Sequence, residues 1–207
     1  MNKCLNRQAI IDMFQKGKPY GAMGPAFPDY EFLYKYVENV QPSLIIEVGT
    51  HFGYSAFAMA SAMLDSNNLG VIYTIDIKSY KYTLDNLERF GNTYFVLGDS
   101  KDVLPALPSA NLAYIDGEHS YKQVKFDFEA LVSKSDLVIL HDIISVCGPA
   151  KLLKEIIDSN DYKYTFTDHH ELKFNDSEVI PLEMAHQCYY NNNKLIGVGT
   201  AFIRGSL

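Results

Sequence analysis

A chain of 207 residues, 47% hydrophobic and 21% charged, has the make-up of one soluble globular domain with a substantial core. Its formal net charge of -7 argues against a dedicated nucleic-acid binder, because no basic excess exists to neutralise phosphates. Cys4, Cys147 and Cys188 lie far apart without Cys-x-x-Cys spacing, so they read as neither a disulfide framework nor a zinc site, and a reducing cytosol is the simplest home.

The first residues carry only the short apolar run Ala9-Ile10-Ile11 before Asp12, too brief for a signal segment. No stretch approaches the ~20 apolar residues of a membrane helix. Met1 to Lys16 reads as a helix that Gly17 ends, and Pro19 to Pro28 as a turn-rich loop. Leu44 to Val48 is an apolar run of strand length, with the acid Glu47 at its carboxyl end. A glycine turn with Gly49 and Gly53 follows, then a small-residue helix from Ser55 to Leu64. Val71 to Ile77 is a second buried strand, rich in β-branched residues. Tyr82 to Phe90 reads as a helix closed by Gly91, and Thr93 to Leu97 as a third strand ending at Gly98-Asp99-Ser100. Leu112 to Asp116 is a fourth strand, Tyr121 to Leu131 a helix, and Leu137 to Leu140 a fifth strand that runs into His141-Asp142. Pro149 is placed to open a further helix through Leu152, Leu153, Ile156 and Ile157. Tyr162 to Phe166 and Gly197 to Ile203 then read as an antiparallel strand pair joined by the polar insertion Asp168 to Asn193.

Strands alternating with helices predict an α/β fold: a Rossmann-like, mostly parallel sheet with helices on both faces and an antiparallel strand pair near the C-terminus. Ligands of such sheets sit outside the carboxyl ends of the strands. Glu47, Asp76, Asp116 and Asp142 end four of those strands, and Asp99 lies just past the third. Strand interiors exclude acids, so their placement is partly forced, yet so many on one rim points to a binding edge. At the first turn, Gly49 and Gly53 allow close backbone approach to a ligand. Glu47 argues for a ligand with amino or hydroxyl groups rather than a bare phosphate.

Four segments taken together resemble class I S-adenosylmethionine-dependent methyltransferases, with the nearest likeness to catechol-type and sugar O-methyltransferases. They are Glu47-Val48-Gly49-Thr50-His51-Phe52-Gly53-Tyr54-Ser55, Thr74-Ile75-Asp76, Gly98-Asp99-Ser100-Lys101-Asp102, and Tyr114-Ile115-Asp116-Gly117-Glu118-His119-Ser120-Tyr121. The resemblance covers Pro42 to about Asp142. It implies one methyltransferase domain over residues 1–207: an N-terminal helical cap segment (1–40), a cofactor-binding core (41–166), and an insertion with the final strand (167–207). The cofactor implied is S-adenosyl-L-methionine. Asp76 would take the ribose hydroxyls, Gly49 and Gly53 with Glu47 and Ser55 the methionine part, and Gly98, Asp99 and Ser100 the adenine. His119, three residues past Asp116, would remove the acceptor proton, work suited to a group that titrates near neutral pH. Relatives also imply Mg²⁺ on Asp116 and Asp142. Here Ile143 follows Asp142 where a further ligand is expected, and the neighbouring His141 would favour a softer metal. The partner expected is a small-molecule acceptor, with neither nucleic acid nor membrane, and a homodimer is left open.

Other accounts of the same residues stand beside these. Asp99 and Ser100 also suit an ordinary turn, and His119 also suits the start of the following helix. A nicotinamide-dependent oxidoreductase uses the same sheet edge, but the central glycine of Gly-x-Gly-x-x-Gly is missing between Gly49 and Gly53. A non-catalytic cofactor-binding scaffold would retain Asp76 and the glycines but not both Asp116 and His119.

Overall fold

The computed structural model describes residues 27–80, 82–143, 147–159, 161–167 and 200–205. The expected helix Met1 to Lys16 and the insertion Asp168 to Asn193 lie outside them. The described residues hold seven strands, which form a mostly parallel sheet with an antiparallel pair at its C-terminal end. The chain divides into two compact units, Met1–Asp99 and Ser100–Leu207.

In the first unit, α1 (Phe27–Val40) leads to β1 (Leu44–Val48), α2 (Tyr54–Asp65), β2 (Val71–Asp76), the short α3 (Thr83–Leu87) and β3 (Thr93–Leu97). β1 and β2 are parallel with Leu44 opposite Val71, and β2 and β3 are parallel with Ile72 opposite Thr93. The helix α1 begins inside the expected turn-rich loop, because Pro28 falls in its first turn, where no backbone donor is needed. Its Tyr30, Leu33 and Val37 recur at helical spacing and are buried. Nine successive residues of α2, Ser55 to Met63, are buried; alanines and serines on several sides let neighbours approach closely all round. Each fully buried large side chain here, such as Phe57 and Met59, contributes about 1.5–3 kcal/mol. The helix expected over Tyr82 to Phe90 is only Thr83–Leu87, and ends in turns that carry Phe90 back against Phe57 at 5.1 Å between ring centres.

In the second unit, α4 (Ser100–Val103) and a single 3₁₀ turn precede β4 (Ala110–Ile115), α5 (Tyr121–Val132), β5 (Ser135–Leu140), α6 (Cys147–Ser159), β6 (Tyr162–Thr167) and β7 (Thr200–Gly205). β4 and β5 are parallel with Ala110 opposite Ser135; β5 and β6 each pair antiparallel with β7. Both β4 and β5 start two residues earlier than the apolar runs suggest, since their ladder already pairs Ala110 with Ser135. Val124, Phe128 and Leu131 of α5 and Leu152, Leu153 and Ile156 of α6 are buried. No helix among the described residues is long and apolar enough to cross a membrane.

Gly70 opens the way into β2, and a Cβ there would lie 2.5 Å from the Pro42 carbonyl oxygen and 2.9 Å from that of Ser43. Both are backbone atoms of the chain entering β1. Gly70→Ala should therefore lower unfolding stability by about 1–3 kcal/mol, the usual cost of overpacking, read as a lower urea midpoint at unchanged slope. An unaltered midpoint would show that the β1 entry is free to move.

Candidate active site

In the first unit the glycine turn is pinned on every side. Gly49 and Gly53 have φ of 102° and 80°, and His51 between them has φ 47°, all left-handed values that glycine adopts at no cost. Gly53 precedes α2 as its N-cap. Asp76, the last residue of β2, holds this turn from below: its Oδ2 accepts from the His51 N–H at 2.8 Å and its Oδ1 from the Lys78 N–H at 3.0 Å. From α3, the Thr83 hydroxyl donates to the His51 carbonyl at 2.6 Å and the Asn86 amide to the Phe52 carbonyl at 2.8 Å. His51, Phe52 and Tyr80 stack around the turn, with ring centres 4.0–5.3 Å apart.

Glu47 is fully buried, one residue short of the strand end. Its Oε2 accepts from the Thr74 hydroxyl across the β1–β2 pair. That donation uses the only Thr74 hydroxyl proton, so at the 2.6 Å contact between the two threonine hydroxyls Thr50 is the donor. The chain Thr50–Thr74–Glu47 thus runs from the turn into the sheet. Ser55 is buried in α2. The Gly98 N–H donates to the Asp76 carbonyl at 2.9 Å, tying the end of β3 to the end of β2, and Asp99 is exposed beyond it.

In the second unit Ser100 is buried. Its hydroxyl donates to Asp127 Oδ1 at 2.6 Å and accepts from Gln123 Nε2 at 2.9 Å. The side chain is engaged by α5.

The second unit also gathers four titratable groups. Asp116 follows β4; His141 and Asp142 follow β5, whose ladder continues as the His141 N–H bonds the Ile115 carbonyl at 3.1 Å. Asp142 has φ 58°, a conformation acids tolerate better than most residues. His119 Nε2 lies 3.1 Å from Asp142 Oδ2 and 3.6 Å from Asp116 Oδ1. The buried His141 places Nδ1 3.2 Å from Asp116 Oδ1 and 3.5 Å from Asp142 Oδ1. Burial alone would raise the Asp116 carboxyl, but the charge and hydrogen bonds of His141 and His119 outweigh it and bring it down to about 2. Bonding to Asp116 lifts His119 above its ordinary value, with Asp142 adding to the lift and burial opposing it.

The backbone at His119 is fixed by α6. A Cβ on Gly148 would lie 2.0 Å from the His119 carbonyl oxygen and 2.8 Å from the Tyr121 nitrogen, so only glycine lets the helix sit there. Ser120 caps α5, with Glu118 accepting from its hydroxyl at 2.9 Å. Asp116, His119 and Asp142 each offer one ligand atom, all within 4.8 Å of one another. Ile143 is buried and offers none. The donor set therefore fits a divalent ion, with an imidazole where a further oxygen ligand was expected. The sequence pointed to Asp116, His119 and Asp142; Thr83, Asn86, Asp127 and Gly148 carried no local signal of their roles, which arise only from contacts distant in sequence.

Residues 46–143 match the family model described as a methyltransferase domain. The rhamnosyl O-methyltransferase of Mycobacterium leprae (strain TN) is 29% identical over 118 residues, 50% of each chain, so the chain spans about half the length of this curated relative. An O-methyltransferase from Bacillus cereus, solved in complex with SAH, superposes with a TM-score of 0.68 at 15% identity over 97% of this chain and 92% of that one. TomG from Streptomyces achromogenes, an O-methyltransferase involved in tomaymycin synthesis and solved with SAM, gives 0.65 at 14% identity over 97% and 91%. Both share the fold.

Because bonding to Asp116 raises the folded pKa of His119 above its ordinary value, protonated His119 stabilises the fold. That contribution is complete below the unfolded pKa and is lost as pH rises through the folded value. Imidazole NMR signals followed through a pH titration should show His119 titrating above 6.5, and Asp116→Asn should bring it back toward that value. An unmoved titration in the variant would remove Asp116 as the cause.

Proposed function

We propose that this chain is a class I S-adenosylmethionine-dependent methyltransferase and moves a methyl group from S-adenosylmethionine to a hydroxyl of a small molecule, a sugar or a phenol. The supporting observation is the His119 imidazole held by Nε2 against Asp142 and Asp116. With Nε2–H donated to a carboxylate, the lone pair stays on Nδ1. That nitrogen takes the acceptor proton while the carboxylates stabilise the imidazolium formed. The acceptor oxygen attacks the methyl carbon in line with the sulfonium sulfur; the C–O bond forms, the C–S bond breaks, and the electron pair remains on sulfur as the neutral thioether.

The cofactor is held by the first unit and the residue that follows it. Each Asp76 oxygen already receives one backbone N–H, and a carboxylate oxygen accepts two bonds, so capacity remains for the ribose hydroxyls. Gly49 and Gly53 admit the methionine part, with Glu47 acting through Thr74 and Thr50, and Ser55 packed in the helix behind them. Gly98, Asp99 and Ser100 frame the adenine. A divalent ion on Asp116 and Asp142 would supply positive charge to orient the acceptor oxygen and lower its pKa. The likeness to a rhamnosyl O-methyltransferase and to an O-methyltransferase involved in tomaymycin synthesis supports a small-molecule acceptor. The compartment on this reading is the cytoplasm.

Calorimetry should show binding of S-adenosylmethionine and S-adenosylhomocysteine and none of NAD; the reverse pattern would sink the proposal. Asp76→Ala should weaken cofactor binding by about 2–4 kcal/mol, from two charge-assisted bonds to ribose partly replaced by water. Equal affinity in the folded variant would take Asp76 out of the ribose site.

On a working acceptor, His119→Ala should leave cofactor affinity intact and slow transfer ~10²–10⁴-fold, the usual value of a positioned base. Wild-type kcat should rise with pH through the His119 titration, since only the neutral ring accepts a proton. A variant as fast as wild type would leave His119 structural.

A further inference from the structure

We infer that Gln123 and Asp127, which the proposed mechanism does not use, are positioning residues that hold Ser100 and the His119 loop as one body. The inference rests on the proposed function only where that sets Ser100 at the adenine and His119 at the acceptor hydroxyl. The coupling between the two does not depend on either role.

Asp127 is 0% exposed, so its carboxylate meets no dissolved ligand and acts through its neighbours. A buried carboxylate is tolerated where donors reach it. Two arrive at one oxygen: the Ser100 hydroxyl at 2.6 Å and Gln123 Nε2 at 3.0 Å both donate to Oδ1. Gln123 lies one turn before Asp127 on the same face of α5, and its Nε2 also donates to the Ser100 hydroxyl oxygen at 2.9 Å. Each of the three side chains bonds the other two. A leucine-sized apolar group in place of a buried charge often leaves stability unchanged; what the polar triangle adds is direction, since hydrogen bonds weaken steeply off axis.

The backbone of Gln123 reaches the other way. Its N–H donates to the Ser120 carbonyl at 3.1 Å and lies 3.3 Å from the Ser120 hydroxyl oxygen. Ser120 follows His119, and its N–H and hydroxyl both donate to the Glu118 carboxylate, at 3.2 and 2.9 Å. The turn that carries the imidazole is therefore closed on itself and anchored on Gln123. One residue orients Ser100 with its side chain and the His119 turn with its backbone, so a shift of the first turn of α5 moves both.

The test compares whole chains without ligand at one pH, reading the His119 imidazole NMR signals, which are identified by their loss in His119→Gln. Gln123→Met and Asp127→Leu should fold and move those signals, whereas Asp127→Asn, which keeps Oδ1 as acceptor, should leave them in place. Ser100→Ala should move them in the wild-type chain and add nothing in Gln123→Met, the non-additivity of a shared network. Unmoved signals in folded Ser100→Ala, Gln123→Met or Asp127→Leu, or shifts that simply add, overturn the inference. On a working acceptor, Gln123→Met should lower kcat roughly 10²-fold, the effect of about 1 Å of misplacement, and raise the KM for S-adenosylmethionine by less; a wild-type kcat overturns the positioning role. A wild-type chain that binds no S-adenosylhomocysteine, with the ligand-free signals responding as stated, counts against the methyltransferase proposal and leaves the coupling standing.

Discussion

A carboxylate taken out of water must be given hydrogen-bond donors, or it becomes neutral or breaks the fold. The strand-end acids of this chain are supplied with them, and the site is built from those supplies. Glu47 receives the Thr74 hydroxyl, Asp76 two backbone N–H groups, Asp116 the His141 ring, and Asp142 the approach of His119. In each case the donor comes from a neighbouring turn, strand or strand end of the same unit. Satisfying the acids therefore also fixes those segments within each unit.

The two units use this principle differently. In the first, the donors to the acids are backbone and hydroxyl groups, which carry no charge near neutral pH. In the second, the donors are imidazoles, whose charge and tautomer change readily. The first arrangement suits holding a cofactor of fixed shape; the second suits moving a proton or accepting a metal ion.

Much of this was legible in the residues. Runs such as Leu44–Val48 and Val71–Asp76 are β-branched, bounded by turn residues, and appear as strands close to where the pattern puts them. Asp116, His119 and Asp142 were legible because acids and histidine beyond buried strands need a reason. Other features were not. The first helix among the described residues begins at Phe27, where Pro28 reads locally as a turn signal though it is equally at home in a helix's first turn. The third helix is shorter than its apolar spacing suggests, because Thr83 and Asn86 turn their side chains to the glycine loop 32 and 34 residues away. Ser100 bonds Asp127, 27 residues on, and no periodicity encodes such a pairing.

Gly148 leaves no gap between the first turn of α6 and the His119 carbonyl. Helix and imidazole loop are consequently one lever: the loop cannot yield without the helix tilting, and a tilt of the helix must carry the ring across the carboxylates it rests on. A force applied at the solvent end of α6, by a molecule leaning on Lys154 or Asp158, would reach His119 as a displacement. The helix acts as the handle of that imidazole.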